Sequence, residues 1–307
     1  ITLHQNISTS AAGFIDIAQG RTATLSGSIA GPALLTKTGG GTLILTGENS
    51  VLQMQILGGV VRAANPMMLG DAFINSNFLL GAGRLQIANP SGPTQIFSNR
   101  GFTVATGVTS VLEIEPGSTM VQQSGVFGFA GAGGVLRIGG GGELFLNGNT
   151  VLIGATAANT VQIAGGSTLA ANNTGAGLFV FTGAVTNTLQ INGGTLRLDA
   201  NLGVMSVAGG TLNVNGGANI VLNSAATTND AQITFTHLSR SNQGTMVITV
   251  SNGGSSLGGT LANGVPDGRL VLTNSTATSL VFTQTNGIVA PFVVRTVSPS
   301  NSTAQFV

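Results

Sequence analysis

A short phrase recurs along this 307-residue chain: Gly-Gly, a small polar residue, alternating apolar and polar residues, then Asn or Gly. Gly40-Gly41-Thr42-Leu43-Ile44-Leu45-Thr46-Gly47 is one copy, and Gly141-Gly142-Glu143-Leu144-Phe145-Leu146-Asn147-Gly148 is another. Gly193-Gly194-Thr195-Leu196-Arg197-Leu198-Asp199 and Gly209-Gly210-Thr211-Leu212-Asn213-Val214-Asn215-Gly216 follow. Looser copies begin at Gly83, Gly134 and Gly268. Side chains alternate across a strand, so each phrase reads as a short strand with one apolar face, bounded by a turn. Leu43, Leu45, Leu144, Leu146, Leu196, Leu198, Leu212 and Val214 are expected in one core. Ile44, Phe145, Arg197 and Asn213 are expected to point away from it. Asn-Gly pairs such as those at 147, 192 and 215 provide the positive φ angles of tight turns. Helical periodicity is nearly absent; a short helical turn at Pro66-Met67-Met68-Leu69 is the best exception.

Many short amphipathic strands leave a sandwich, a closed barrel or a β-solenoid. The irregular spacing of similar phrases favours the solenoid, which lets surplus residues leave each coil as loops. Composition agrees. Lys and Arg number 10 and Asp and Glu 9, so 6% of the chain is charged, against about 25% in ordinary domains. Like residues stack about 4.8 Å apart in such a fold. Stacked charges repel, whereas Asn, Thr and Ser can bond in ladders. A coil of about 22 residues is expected.

The same composition excludes other classes. With no Cys there is no disulfide scaffold, Cys-ligated zinc site or thiol enzyme. A net charge of +1 gives no basic face for a phosphate backbone, so no nucleic-acid partner is expected. A hydrophobic content of 42% opposes disorder. The most apolar stretch, Gly175 to Val185, falls short of the roughly 20 residues of a membrane helix. A membrane barrel normally carries girdles of Trp and Tyr, both missing here. The first residue is Ile1 and no basic n-region precedes an apolar run, so the chain reads as a processed form or a piece of something longer.

The stretch Lys37-Thr38-Gly39-Gly40-Gly41-Thr42-Leu43-Ile44-Leu45-Thr46-Gly47-Glu48-Asn49-Ser50, followed by Gly58-Gly59-Val60-Val61-Arg62 and Met68-Leu69-Gly70-Asp71, resembles the autotransporter-associated β-strand repeat. That repeat occurs in passenger domains of bacterial autotransporters and related surface proteins. About 35 residues match closely, with looser echoes to about residue 220; at Val51-Leu52-Gln53-Met54-Gln55 the usual Tyr and its Gly-rich neighbour are replaced. The resemblance implies an all-β, right-handed parallel β-helix exposed outside the cell, and brings no catalytic residues with it. Residues 1–222 are read as the β-solenoid. Residues 223–307, where the phrase fades and apolar runs lengthen, are read as a divergent β region, a cap or an inter-subunit contact segment.

Candidate chemistry is thin. Of nine carboxylates only Glu113 and Glu115 lie close, on one face of Val111-Leu112-Glu113-Ile114-Glu115-Pro116. They are weak candidates for holding Ca²⁺, which wants six or more oxygens; otherwise they form a solvated strand edge. His4 and His237 have no Asp, Glu or second His at ligand spacing. No catalytic residue, cofactor site or other metal site is assigned. Thr-x-Thr occurs only in isolation, as at Thr22-Ala23-Thr24. The chain is expected to be a non-enzymatic extracellular structural or adhesive protein of the bacterial cell surface, a passenger-like stalk. The alternatives are a self-assembling filament or surface-layer subunit, and a polysaccharide-active β-helix enzyme. Expected partners are other copies or the rest of a longer chain at the solenoid ends, and host or cell-surface receptors or glycans, with no transmembrane segment.

Overall fold

The computed structural model describes residues 1–70, 77–88, 94–97, 100–123, 125–147, 151–153, 158–172, 179–180, 187–200, 205–224, 231–251, 268–273, 279–281, 293–297 and 305–306. The chain winds as a parallel β-solenoid whose strands stack in three columns. The first column includes Thr22–Leu25, Thr42–Leu45, Val60–Ala63, Arg84–Ile87, Thr109–Ile114, Val135–Gly139, Thr160–Ala164 and Thr188–Asn192, each paired in parallel with the next. Thr94–Phe97, Thr119–Gln122, Glu143–Leu146, Thr168–Asn172 and Gly194–Ala200 form most of the second. Asn77–Leu80, Gly101–Val104 and Val126–Phe129 belong to the third. Within the first column the step from one coil to the next runs from 18 residues, Thr42 to Val60, to 28, Thr160 to Thr188, bracketing the expected coil length. Later in the chain it lengthens to 37 from Ala231 to Gly268 and 47 from Met246 to Val293.

Alternation decides what each strand buries. Leu43, Val61, Leu85, Leu112, Ile138, Ile163, Ile191 and Val214 form one interior row, each in register with the next and each buried. All eight residues expected in the core are buried, in this row or in parallel interior rows, while Ile44, Phe145, Arg197 and Asn213 face outward and are half-buried. In the third column Phe78 and Phe102, also in register, stack with ring centroids 5.1 Å apart. The expected helical turn is a 3-10 turn, Pro66–Leu69, capped by Asn65, whose Oδ1 accepts from the Met68 backbone N–H at 3.2 Å. It packs against the strands Ser50–Ile56 and Thr94–Phe97.

Strand length departs from expectation towards the C-terminus. Met205–Ser224 and Ala231–Ser251 run 20 and 21 residues without a break and serve several columns each. Their corners bend rather than interrupt the ladder: Gly216 has φ +83, Asn242 +47 and Gln243 +54, and the register shifts between Asn215 and Gly217. Parallel stacking therefore continues beyond residue 222, through Val250 against Val297. Antiparallel pairing appears only later among the described residues, where Ser279–Val281 lies on Gly268–Thr273 and Gln305–Phe306 on Val293–Val297.

A lysine sits in an interior row. Lys37 is in register with Ile15 and Ile56 and is buried. Its Nζ turns to the corner and donates to the carbonyls of Thr38, Gly39 (2.9 Å) and Gly58 (3.2 Å), tying two successive coils. Burial lowers its pKa from the usual lysine value, with nearby Asp16 acting against the shift. Lys37→Met strands three acceptors in the corner, so a loss of about 2 kcal/mol is expected in thermal unfolding. The unfolded chain holds this proton up to about 10.5, the native chain to a lower pH. Wild-type stability relative to Lys37→Met should therefore rise with pH across that window. A flat difference between the two melting curves from neutral pH to about 10.5 would contradict this origin.

Candidate functional site

Glu113 and Glu115 project from the outward side of Thr109–Ile114 and the corner after it, while Leu112 and Ile114 are buried beneath. The structure places each against an arginine of an earlier coil. Arg84 Nη1 lies 2.8 Å from Glu113 Oε1, one coil back and two residues offset in register. Arg62 Nη2 lies 2.7 Å from Glu115 Oε1, reaching across the coil that carries Gln86. All four side chains keep solvent exposure, from 22% for Glu113 to 45% for Arg84. The two carboxylates thus serve separate ion pairs, and among the described residues no group of three His, Asp or Glu side chains converges as a metal site. Exposed pairs of this kind contribute about 0–1 kcal/mol each. Melting curves recorded with millimolar Ca²⁺ and with a chelator should coincide, and a rise with Ca²⁺ that Glu113→Gln abolishes would restore the metal reading.

The corner row after these strands reads Thr46, Ala64, Ala88, Glu115 in successive coils, as the backbone bonds Ala88 N to Ala63 O and Glu115 N to Ile87 O show. Two alanines between longer side chains leave a hollow. It has a volume of about 290 Å³ and is lined by Ile44, Leu45, Thr46, Arg62, Ala64, Ala88 and Glu115. On the opposite edge of the same column a shallower groove runs over glycine backbone at Gly40, Gly59 and Gly83, beside Arg84.

A second charged group lies on the second column. Arg197 meets Glu143 through two contacts, Nη1–Oε2 at 2.7 Å and Nη2–Oε1 at 3.0 Å, and Asp199 through Nε at 3.0 Å. Ala170, in register between Phe145 and Arg197, is short enough for the guanidinium to pass over its coil, and the Arg197 Cζ then sits 5.9 Å from the Phe145 ring centroid. Burial opposes the Arg197 charge, but the bonds and charges of Glu143 and Asp199 more than offset it, so its pKa is raised. The arrangement is a clasp over three coils whose donors are engaged by carboxylates.

His4 and Ser26 are hydrogen-bonded at the exposed edge of the first coils, Nδ1 to Oγ 2.6 Å apart. His237 stacks in register on Thr211. Asn6 Oδ1, in a glycosylation-type sequon, accepts from the Ser28 backbone N–H at 2.9 Å. Asp71, Asp230 and Asp267 lie outside the described residues. Sequence reasoning missed three features. One is the buried Arg100, 5.6 Å from the Phe78 ring centroid and donating to the Gly70 carbonyl. Another is the inward turn of Lys37. The third is the outward row Thr160, Thr188, Thr211, in register beside Gln162, Gln190, Asn213. Only the Thr-Val-Gln, Thr-Leu-Gln and Thr-Leu-Asn triplets of these strands hinted at that row. Comparison of the chain with protein-family models, curated proteins and solved structures gives no match in any of the three.

Proposed function

We propose that the chain is a non-enzymatic extracellular structural or adhesive protein, a passenger-like stalk displayed at a bacterial cell surface. The observation that carries this reading is the unbroken first column. Its interior row is wholly apolar from Leu43 to Val214, and over its last three coils the outward rows are Thr160, Thr188, Thr211 and Gln162, Gln190, Asn213. Gln162 Nε2 donates to Gln190 Oε1 at 3.3 Å, and Asn213 Nδ2 to Ser239 Oγ at 2.7 Å. Such ladders extend a rod without accumulating charge. The resemblance of residues 37–71 to passenger-domain repeats supports the same reading. Electron microscopy of the purified chain should show short single rods, and incubation with acidic and neutral polysaccharides should release no new reducing ends. Release that is lost with Glu143→Gln or Glu115→Gln would overturn it in favour of an enzyme.

A self-assembling filament or surface-layer subunit is the second reading: the first coil offers an edge that another copy, or further residues of the same chain, would cover. Ile1, Leu3 and Phe14 are exposed there at 89%, 46% and 73%. Among the described residues Thr2–Leu3, Ile7–Ser8 and Gly13–Asp16 each pair on one side only. Concentration-dependent polymers in light scattering would select this reading over the single stalk.

A further inference from the structure

We propose that the hollow beside Arg62 is a binding site for a carboxylate-bearing sugar, such as a uronate residue of an acidic polysaccharide. The adhesive reading above is thereby extended to a ligand class. The hollow exists because residues 64 and 88 are alanine where the same corner row carries Thr46 and Glu115. Its volume of about 290 Å³ lies at the small end of the range for small-molecule pockets, suited to a single ring rather than a folded partner. Ile44, Ala64 and Ala88 offer aliphatic walls to the C–H faces of a sugar, and Thr46 adds a hydroxyl.

Arg62 supplies the selectivity. Its guanidinium holds Glu115 through one Nη2–Oε1 contact at 2.7 Å and keeps 43% of its side-chain surface. A guanidinium presents five donors and takes a carboxylate best through two parallel bonds. A ligand carboxylate entering the hollow can make the two-point contact that Glu115 makes at one point only. Glu115 is then an internal competitor that holds the arginine in place while the hollow is empty and swings aside when a ligand carboxylate arrives. Arg84 provides the comparison within the same face: it has the same kind of pair, with Glu113, but opens on the shallow glycine-floored groove.

The test is calorimetric or NMR titration of the full chain with oligogalacturonate, with a neutral glucose oligomer and a Glu-rich peptide as parallel probes. Oligogalacturonate alone should bind. Arg62→Gln should weaken it by about tenfold or more, the loss of a charge-assisted contact. Glu115→Gln removes the competitor and should tighten binding severalfold. Ala64→Leu fills the hollow with both charges kept and should weaken binding by about tenfold or more, whereas Arg84→Gln should change it by less than about twofold. Equal losses from Arg62→Gln and Arg84→Gln, equal binding of the Glu-rich peptide, or no binding by either the wild-type chain or Glu115→Gln would overturn the site. A chain that forms rods and cleaves nothing but fails these titrations loses the site and keeps the stalk. Release of reducing ends overturns the stalk reading independently.

Discussion

Leu196→Asp should unfold the middle of the rod. Leu196 is fully buried and stacks between Leu169 and Ile220 in the second column. An aspartate there loses those contacts and places a carboxylate between Leu169 and Ile220, with Leu144 and Ile248 next along the row. The removed leucine contacts alone are worth about 2–5 kcal/mol, and a charge without a partner adds several more or is neutralised at a remaining cost. Neighbouring coils stabilise one another by stacking, so the damage spreads to both sides. Circular-dichroism melting and limited proteolysis should show a midpoint far below wild type and new cleavage around residues 169–220. Gln190→Asp, on an outward row, should stay within about 1 kcal/mol. A Leu196→Asp chain that melts like wild type would mean that the row does not face a sealed core.

Gly59→Ala should rank with the most damaging of the conservative glycine changes among the described residues. Gly59 has φ +67, a conformation that costs an L-residue about 1–2 kcal/mol. A Cβ there would also lie 2.2 Å from the Gly41 carbonyl oxygen of the preceding coil and 2.9 Å from Lys37 Nζ. The change forces two stacked corners apart at the point where Lys37 ties them. Together these should cost about 3 kcal/mol or more. Gly107 separates the two contributions: its φ is +68, but nothing lies within 4 Å of an added Cβ. Gly107→Ala should therefore cost only the backbone share, about 1 kcal/mol. Equal melting shifts for the two variants would mean that close stacking of the corners adds nothing to the requirement for glycine.

Much of this architecture was legible because a solenoid repeats a local rule. In Leu196-Arg197-Leu198 the alternation of types already separates the buried from the outward side chains, whatever the strand pairs with. The Gly-Gly steps likewise mark corners before any corner is seen. The candidate site was less legible. Glu113 and Glu115 are neighbours in sequence, yet their partners, Arg84 and Arg62, lie 29 and 53 residues away. Because coils differ in length by ten residues within the first column alone, no fixed period tells which residue will lie over which. The threonine row Thr160, Thr188, Thr211 was hidden for the same reason, its members separated by 28 and 23 residues. After residue 222 the parallel ladder continues, because a strand can bend at Gly216 or at Asn242-Gln243 without losing its partner, and antiparallel pairing joins it from Gly268 onward.

By itself the sequence determined that this chain forms short amphipathic strands, buries a column of aliphatic residues and avoids stacked charge, since alternation and turn chemistry act between near neighbours. The tertiary structure alone decided what lies across the coils: Lys37 turned into a corner of carbonyls, Arg197 passing over Ala170 to Glu143, and Arg62 beside a hollow left by Ala64 and Ala88. These are contacts between residues brought together by register, and register in a coil of variable length is set by how its loops close and its core packs.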